Sequence, residues 1–427
     1  MSADRAKASN HLERLLKTRN REELLAQLAP HDDPAPPKVP GGAHVSDAAV
    51  ASRWELVPRA AHSRRELLDA DTEARKDIFK KNIEHFIGTV KIPVGLAGPL
   101  RINGLFASGD YYVPLATTEA ALVASYSRGS HLLTEAGGCT SAVLNEGVCR
   151  APGYAFHNLR EAGVFVLWAT EHVDDFRRVA EATTRFGKLN DMRITIEGNH
   201  AYLCFEFDTA DASGQNMVTL ATEAICEYIE QNCPVKSQYH FVEANLSGDK
   251  KASAQSFLLV RGRKVSAEAV LPAELVQKRL RTTPEHMVNF WRMCAMGGIL
   301  SGTVGIQGHF ANGLAALYMA CGQDVACVAE SAVGVTRFEV MEDGALYCSV
   351  SLPNIMVGTV GGGTSLPSQK ACLDILGLAG AGKAQALAEV CGGLCLAGEL
   401  SLMGAMCSGD FSRAHRLLAR GKQNKKG

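Results

Sequence analysis

The 427-residue chain contains no Cys-x-x-Cys pair, and none of its 13 cysteines is spaced with histidine as a zinc site requires. No metal is expected. The cysteine count is odd, and most cysteines sit in apolar surroundings, as in Ala-Leu-Tyr-Met-Ala-Cys321. They read as reduced, buried thiols of a cytoplasmic protein. An excess of charge of either sign is also missing. Lysine plus arginine is 44, aspartate plus glutamate 45, and the net charge is −1. This excludes a broad polyanion-binding surface, so no nucleic-acid partner is expected. No run of about 18 apolar residues is free of charge. The nearest approach, Val390 to Met406, contains Glu399 and several glycines and reads as a buried helix, not a membrane span. Residues 1–16 carry no apolar h-region, so no signal peptide is expected. Aromatics are few, at 6%, and no internal repeat is evident.

What is present is an ordinary apolar fraction of 46%, a charged fraction of 21% and 41 glycines. Such a chain buries a large core, and its length suggests two or three domains. Leu12, Leu15, Leu16 and then Leu24, Leu25, Leu28 follow helical spacing, and the four prolines of His31–Gly42 make a linker. A polar helical stretch is predicted over about 60–81. Strands are predicted at Val90–Leu100 and Tyr111–Ala116. A helix is predicted from Thr118-Glu119 to Glu135, ended by Gly137-Gly138. Beyond Ala155 the pattern alternates. A strand is predicted at Val164–Trp168, a helix at Val173–Thr184, a strand pair across Gly198-Asn199, and a long helix at Gly214–Asn232. That β-α-β-β-α order suggests antiparallel sheet packed on helices, an α+β arrangement. Lys251–Leu271 reads as strand-rich. The remainder reads as glycine- and alanine-rich helix with strands near Ser331–Val340 and Tyr347–Leu352.

Three segments resemble anion-binding loops. Gly377-Leu-Ala-Gly-Ala-Gly382-Lys383-Ala384 nearly matches a Walker A loop, but alanine follows the lysine where a hydroxyl must meet Mg²⁺. A glycine turn ending a helix is the better reading. Gly358-Thr-Val-Gly361-Gly362-Gly363-Thr364 lets backbone amides approach a ligand with no side chain between them, though it is not a dinucleotide fingerprint. Asp211-Ala-Ser-Gly214-Gln215-Asn216-Met217 places a glycine at a helix start, where an anion is favoured. Taken alone, each of these two reads somewhat better as a structural turn than as a ligand loop.

The motifs then combine in a fixed order. They are Ala116-Thr-Thr-Glu119 with Leu122-Val-Ala-Ser125, Asp249-Lys250-Lys251, Gly322-Gln-Asp324, Gly358–Thr364, Ala397-Gly-Glu-Leu-Ser-Leu-Met403 and a late His415. Over about residues 60–420 the chain resembles the 3-hydroxy-3-methylglutaryl-CoA reductase family, in its soluble, eukaryotic-type catalytic portion. Glu84-His-Phe-Ile-Gly88 also resembles the family's dimerisation motif. The resemblance implies an α+β fold. A large helix-rich domain for CoA and the acyl group (83–155 and 241–427, ending in a catalytic flap) is interrupted by a small ferredoxin-like NADP-binding domain (156–240). A helical arm with its linker (1–42) and an N-terminal helical domain (43–82) precede it.

The resemblance also implies NADPH-dependent, four-electron reduction of the acyl-CoA to mevalonate and free CoA. Lys250 would stabilise charge on the reacting oxygen, and Glu119 would supply its proton. Asp324 would couple the two, and His415 would protonate the departing thiolate. Alone, each of these residues reads as a cap, a turn or a surface charge. Cofactor positions are implied at Arg185, Asp211, Gly214, Gln215, Asn216, Gly361, Gly362, Gly363 and Arg420. Substrate positions are implied at Ser125, Arg128, Asp249, Lys251, Arg292, His309 and Asn312. The partners implied are 3-hydroxy-3-methylglutaryl-CoA, NADPH and a second copy of the chain, in a dimer or tetramer with the active site between subunits.

Three positions depart from the family pattern. Ala155 stands where an arginine would hold the acyl carboxylate, Arg292 replaces a lysine, and Glu243-Ala-Asn245 replaces Ser-Gly-Asn. A carboxylate in place of a hydroxyl near an anionic group is costly unless it is neutralised. Two alternatives therefore stay open: a reductase of another branched hydroxyacyl-CoA, and a CoA-binding homologue without catalysis.

Overall fold

The computed structural model describes residues 5–30, 33–259 and 261–409. Contacts divide the chain into two compact units, residues 1–89 and 90–427.

The first unit begins with α1 (Arg5–Leu16) and α2 (Arg21–Leu28). Asn20 caps α2 by accepting from the Glu23 amide at 3.0 Å. Residues 33–40 form no regular structure, and α3 (Asp47–Glu55) follows. The single helix predicted over 60–81 is instead four short pieces. These are a 3₁₀ turn at Pro58–Ser63, α4 (Arg64–Leu67), α5 (Ala70–Ala74) and a 3₁₀ turn at Lys76–Phe79. Asp69 restarts the helix by accepting from the Thr72 amide at 2.8 Å. The small core of Val45, Val50, Trp54, Leu68 and Phe86 offers no continuous apolar surface for a long helix to cover. Arg53 is 2% exposed and donates to the carbonyls of Pro40, Phe86, Gly42 and His44. One buried cation thus ties the end of the linker and the Glu84–Gly88 segment to α3.

The second unit opens with a hairpin, β1 (Val94–Gly104) and β2 (Ser108–Ala116). The next helix, α6 (Leu122–Glu135), starts later than Thr118, because Ala121 takes a left-handed backbone at φ 73° and blocks an earlier start. Then come β3 (Cys139–Arg150), β4 (Gly153–Ala155) and α7 (Leu159–Glu171). The strand predicted at Val164–Trp168 is therefore helix. Its apolar run is too short to separate the two periods. Asn158 decides the matter by accepting from the Glu161 amide at 3.0 Å, and Ala162, Phe165 and Ala169 turn inward on one helical face. The chain continues through α8 (Val173–Glu181), β5 (Lys188–Glu197), β6 (His200–Asp208), α9 (Gln215–Asn232) and β7 (Tyr239–Phe241).

Among the described residues between 251 and 271 only β8 (Gly262–Leu271) is strand, and Ala254–Phe257 is a 3₁₀ turn. The rest is α10 (Ala273–Leu280), α11 (Pro284–Ser301), α12 (Phe310–Ala320), α13 (Val328–Ser331), β9 (Val335–Val340), β10 (Leu346–Ile355), α14 (Pro367–Leu376) and α15 (Ala384–Cys407).

Two sheets share one strand. The larger runs β2-β1-β3-β8-β10-β9, with β1 and β3 parallel and the other neighbours antiparallel. The smaller runs β7-β4-β6-β5, all antiparallel, in the β-α-β-β-α-β succession of a ferredoxin-like sheet. Strand β3 pairs with β8 over Thr140–Gly147 and with β6 over Val148–Arg150. Helix α15 is the axis of the large core. By composition it is long and apolar enough to cross a membrane, but 83% of its apolar window is buried in the fold. Helix α6 crosses it so closely that a Cβ at Gly129 would lie 1.8 Å from the Ala397 carbonyl oxygen. Eleven cysteines are buried, as expected; Cys294 is exposed and Cys407 half-buried.

Candidate active site

The end of β3 joins the β7–β8 connection to the start of α9. Arg150, its last residue, donates to Asp249 at 3.0 Å, to Glu243 at 3.3 Å and to the Gln215 carbonyl at 3.4 Å. Glu243 also accepts from the Ala151 amide, the Ser247 hydroxyl and the Asn245 amide. The departure at Glu243 is thereby neutralised within the fold. Ala155 is not a vacant pocket position either. It is 1% exposed in β4 and paired with both neighbouring strands.

Beside this network Lys250 Nζ lies 2.8 Å from Asp324 Oδ2, both side chains being more than a third exposed. The hydrogen bond to Asp324 raises the lysine pKa above its ordinary value, outweighing partial burial. Partial burial works against the Asp324 carboxylate, but Lys250 and the Ala326 amide outweigh it and hold the group below the usual aspartate value. The pair is an ammonium facing a carboxylate. Gln215 Nε2, in the first turn of α9, reaches Asp324 at 3.4 Å and the Cys327 sulfur at 2.9 Å. Burial pushes the Cys327 thiol up, so it stays protonated beside the pair.

Glycine contacts set the neighbouring loops. A Cβ on Gly322 would lie 2.4 Å from the Gly363 carbonyl oxygen, and one on Gly358 would lie 2.5 Å from the Ser213 amide nitrogen. Gln323 accepts from the Gly358 amide at 2.7 Å. The loops before Asp324, around Gly361 and before α9 are thus pressed together. Gly361 and Gly362 have φ of 74° and 54°, and a Cβ on either would meet nothing within 4 Å. Gly214, at φ 73°, packs on Thr209. Asn216 is exposed in the first turn of α9, and Arg185 is exposed in the α8–β5 loop. Thr184 ties that loop to α9 through the Met217 sulfur at 3.0 Å.

Other expected residues lie elsewhere. Asp211 is engaged by the near-Walker segment itself, accepting from the amides of Gly382, Lys383 and Ala384 at 2.7, 3.0 and 3.1 Å. Those amides overcome its partial burial and hold its carboxyl below the usual value. Asp211 therefore caps α15, and its carboxylate is not free for a cofactor. Gly377 ends α14 in a left-handed turn, as the sequence suggested. Ser125 meets Ser401 at 2.8 Å, and Arg128 donates to the Ser401 hydroxyl and carbonyl at 3.1 and 2.6 Å. His309 stacks on Tyr126 with centroids 5.1 Å apart, and its amide donates to Glu399 at 2.8 Å. Asn312 is half-buried at the start of α12, and Arg292 is exposed on α11. Lys251 Nζ donates to the Asp249 carbonyl at 2.7 Å.

Glu119 is exposed in the β2–α6 loop, and among the described residues no hydrogen bond or ion pair joins its carboxylate to Lys250 or Asp324. His415 and Arg420 lie outside the described residues.

Two residues escaped the sequence reading, Arg261 and Glu330, which form a buried pair at 2.7 Å. The available signal was Glu330 itself, a lone charge in the apolar run Val325–Val335.

The fold sets the class. The chain is similar to the class II 3-hydroxy-3-methylglutaryl-CoA reductase of Streptococcus pneumoniae bound to NADPH in open conformations. The TM-score is 0.64 at 20% identity, covering 83% of this chain and 96% of that one. A second structure of the reductase from Streptococcus pneumoniae gives a TM-score of 0.63. The two chains share this α+β fold.

The family follows from sequence. The model of the hydroxymethylglutaryl-coenzyme A reductase family matches residues 49–420. The 3-hydroxy-3-methylglutaryl-coenzyme A reductase of Pyrococcus horikoshii is 45% identical over 352 residues, 81% of this chain and 85% of that protein. That of Methanothermobacter thermautotrophicus is 41% identical over 377 residues, 88% and 94% of the two chains. That of Dictyostelium discoideum is 38% identical over 80% of this chain and 63% of its own length. The chain belongs to the hydroxymethylglutaryl-coenzyme A reductase family.

Proposed function

We propose that the protein is an oxidoreductase that converts (S)-3-hydroxy-3-methylglutaryl-CoA to mevalonate and CoA with two equivalents of NADPH, the reductive step of the mevalonate route to isoprenoids. The observation that carries this reading is the Lys250–Asp324 pair at 2.8 Å, in the register of the family motifs. When bound, NADPH would supply hydride to the thioester carbonyl and then to the aldehyde. The carbonyl oxygen gains negative charge in each step, and a fixed ammonium stabilises it; comparable oxyanion donors contribute roughly 3–4 kcal/mol. Asp324 keeps Lys250 charged and aims it.

The cofactor fits the space left by the missing side chains of Gly361 and Gly362, with Gly363 behind them, the start of α9 at Gly214, Gln215 and Asn216, and the exposed guanidinium of Arg185. A guanidinium reads a 2′-phosphate through paired hydrogen bonds, which favours NADPH over NADH. In this reading the cofactor domain is the smaller sheet with its helices, 153–241 and not 156–240, because β4 and β7 pair within that sheet. The large substrate domain comprises 90–152 and 242–427, and the expected start at 83 moves because Phe86 packs in the core of the first unit, which holds the arm (1–42) and the helical segment after it. Arg420 and His415 complete the set, His415 as donor to the CoA thiolate. Glu243, neutralised by Arg150, presents no free charge against the acyl carboxylate, which favours the standard acyl group.

The active site lies between subunits of a cytoplasmic dimer or tetramer. Glu119 has no partner linking it to Lys250 among the described residues. Helix α11 exposes Met293, Met296, Ile299 and Leu300 at 75%, 57%, 64% and 83%, an apolar face that a second copy would cover. An enzyme that stays active as a monomer on dilution would contradict this.

The decisive experiment follows NADPH oxidation with 3-hydroxy-3-methylglutaryl-CoA and measures CoA and mevalonate released in a 1:1 ratio. Turnover only with another branched acyl-CoA, or binding without turnover, would overturn the proposal.

A further inference from the structure

Glu330 is fully buried, in the short helix α13 behind the Lys250 loop. A carboxylate removed from water is unfavourable unless its oxygens are occupied by donors. Here each oxygen has its own task. Oε2 accepts from Arg261 Nε at 2.7 Å, and Oε1 accepts from the backbone amide of Lys250 at 3.3 Å. The second contact falls on a strained position. Lys250 has φ of 55°, in the left-handed region that residues with a side chain enter only when their surroundings hold them there.

Arg261 completes the hold. It is 2% exposed, and its guanidinium also donates to the Cys149 carbonyl at 2.8 Å and to the Asp249 carboxylate. Asp249 is gripped from its other side by Arg150 at 3.0 Å. Residue 249 is therefore fixed by its side chain and residue 250 by its amide, and both restraints lead to one buried carboxylate. From that backbone the Lys250 ammonium reaches Asp324 at 2.8 Å.

We propose that Glu330 is a positioning residue for Lys250. Through the Lys250 amide and through Arg261 it imposes the left-handed turn that presents the ammonium to the reacting carbonyl oxygen. The inference rests on the reductase reading for its effect on turnover, but its structural content does not.

The test compares wild type, Glu330→Gln and Arg261→Lys. Glutamine keeps one acceptor and loses the charge that holds Arg261. Lysine keeps a cation that reaches Glu330 or Asp249 but not both. On folded, gel-filtered protein the test reads the melting temperature, the KM for NADPH, kcat across pH with 3-hydroxy-3-methylglutaryl-CoA and with mevaldehyde, and the rate at which Lys250 is acylated by an amine-reactive ester, followed by peptide mass spectrometry. Among the described residues, the charged and titratable groups acting on the ammonium are Asp324, the Cys327 thiol and Asp249.

Both variants are expected to lose kcat on the order of 10–100-fold on both substrates, because a misplaced group of this kind costs that much. The KM for NADPH should stay within about twofold, since a transition-state contact and not ground-state binding is lost. The alkaline limb of kcat should move to lower pH, and Lys250 should be acylated faster, as its ion pair with Asp324 loosens. A merely structural role would lower thermal stability and leave kcat per folded enzyme, the alkaline limb and the acylation rate as in wild type. That result in either variant overturns the proposal. If Glu330→Gln fails to fold, Arg261→Lys decides alone. If wild type turns over no 3-hydroxy-3-methylglutaryl-CoA, the reductase reading fails, and the acylation rates still decide the role of Glu330.

Discussion

Lys250 reaches Asp324 at 2.8 Å from a loop whose backbone is left-handed at that very residue. The contact sets the charge of both partners. Lys250 titrates above its ordinary value of 10.5 because of Asp324, and Asp324, despite partial burial, titrates below 3.8 because of Lys250. Lys250→Ala should abolish reduction of both thioester and mevaldehyde. Asp324→Asn should leave the lysine without its counter-charge, so the alkaline limb of activity should move to lower pH. The raised lysine contributes stability that is present below 10.5 and lost as pH rises through its folded value. The depressed aspartate contributes stability that is present above 3.8 and lost as pH falls through its folded value. Melting temperatures of wild type and Asp324→Asn should therefore differ at neutral pH and converge at both extremes. The pair is too exposed for the difference to be large.

Asp211 should prove to be a stability residue. Asp211→Asn keeps one acceptor for the three amides at the start of α15 and should cost about 1 kcal/mol, as loss of a good helix cap does. The stabilisation should fade as pH falls through the depressed pKa of Asp211. The KM for NADPH should not change. Urea unfolding and steady-state kinetics on the same preparation check this.

The glycines at the site should separate into two kinds. Gly322→Ala drives a Cβ into the Gly363 carbonyl at φ 69°, whereas Gly361→Ala enters open space at φ 74°. Strain alone should cost Gly361→Ala about 1 kcal/mol, and overpacking should add about 1–3 kcal/mol for Gly322→Ala. Gly361→Ala should instead raise the KM for NADPH more than its stability loss explains.

Ala155→Arg should not tighten substrate binding. The position lies inside the smaller sheet at 1% exposure, so a guanidinium there is buried without a partner. Loss of soluble protein is the expected outcome, with a cost on the order of 3 kcal/mol or more. Recovery of soluble enzyme with a lower KM for the acyl-CoA would contradict the placement.

Much of this architecture was legible. The strand pair β5–β6 across Gly198-Asn199, the long helix α9 and the buried helix α15 all follow from strong periodicity or from an unbroken apolar run. Helix α7 did not, because Val164–Trp168 carries β-branched and aromatic residues that suit either state, and the Asn158 cap outside that run decided it. The motif order singled out Lys250, Asp324 and the glycine loop, which the fold brings into one region. It could not show that Asp211 is taken by the start of α15, or that Glu243 is neutralised by Arg150. Those facts depend on which distant segments meet, and hydrophobic patterning does not encode that. Arg261 and Glu330 were missed for the same reason: two charges far apart in the chain give no periodic signal, and their meaning arises only on burial.

The strand that β8 and β6 share has a thermodynamic consequence. Thr140–Gly147 contributes to one ladder and Val148–Arg150 to the other, with no unpaired link between them. Melting of either sheet removes a partner from the same continuous strand, so neither sheet has a boundary at which unfolding can stop. Residues on both sides of Gly147 should exchange their amide protons only in global opening events, at a common rate. The calorimetric trace of the second unit should then be a single transition, although its sequence reads as an insertion within a larger domain.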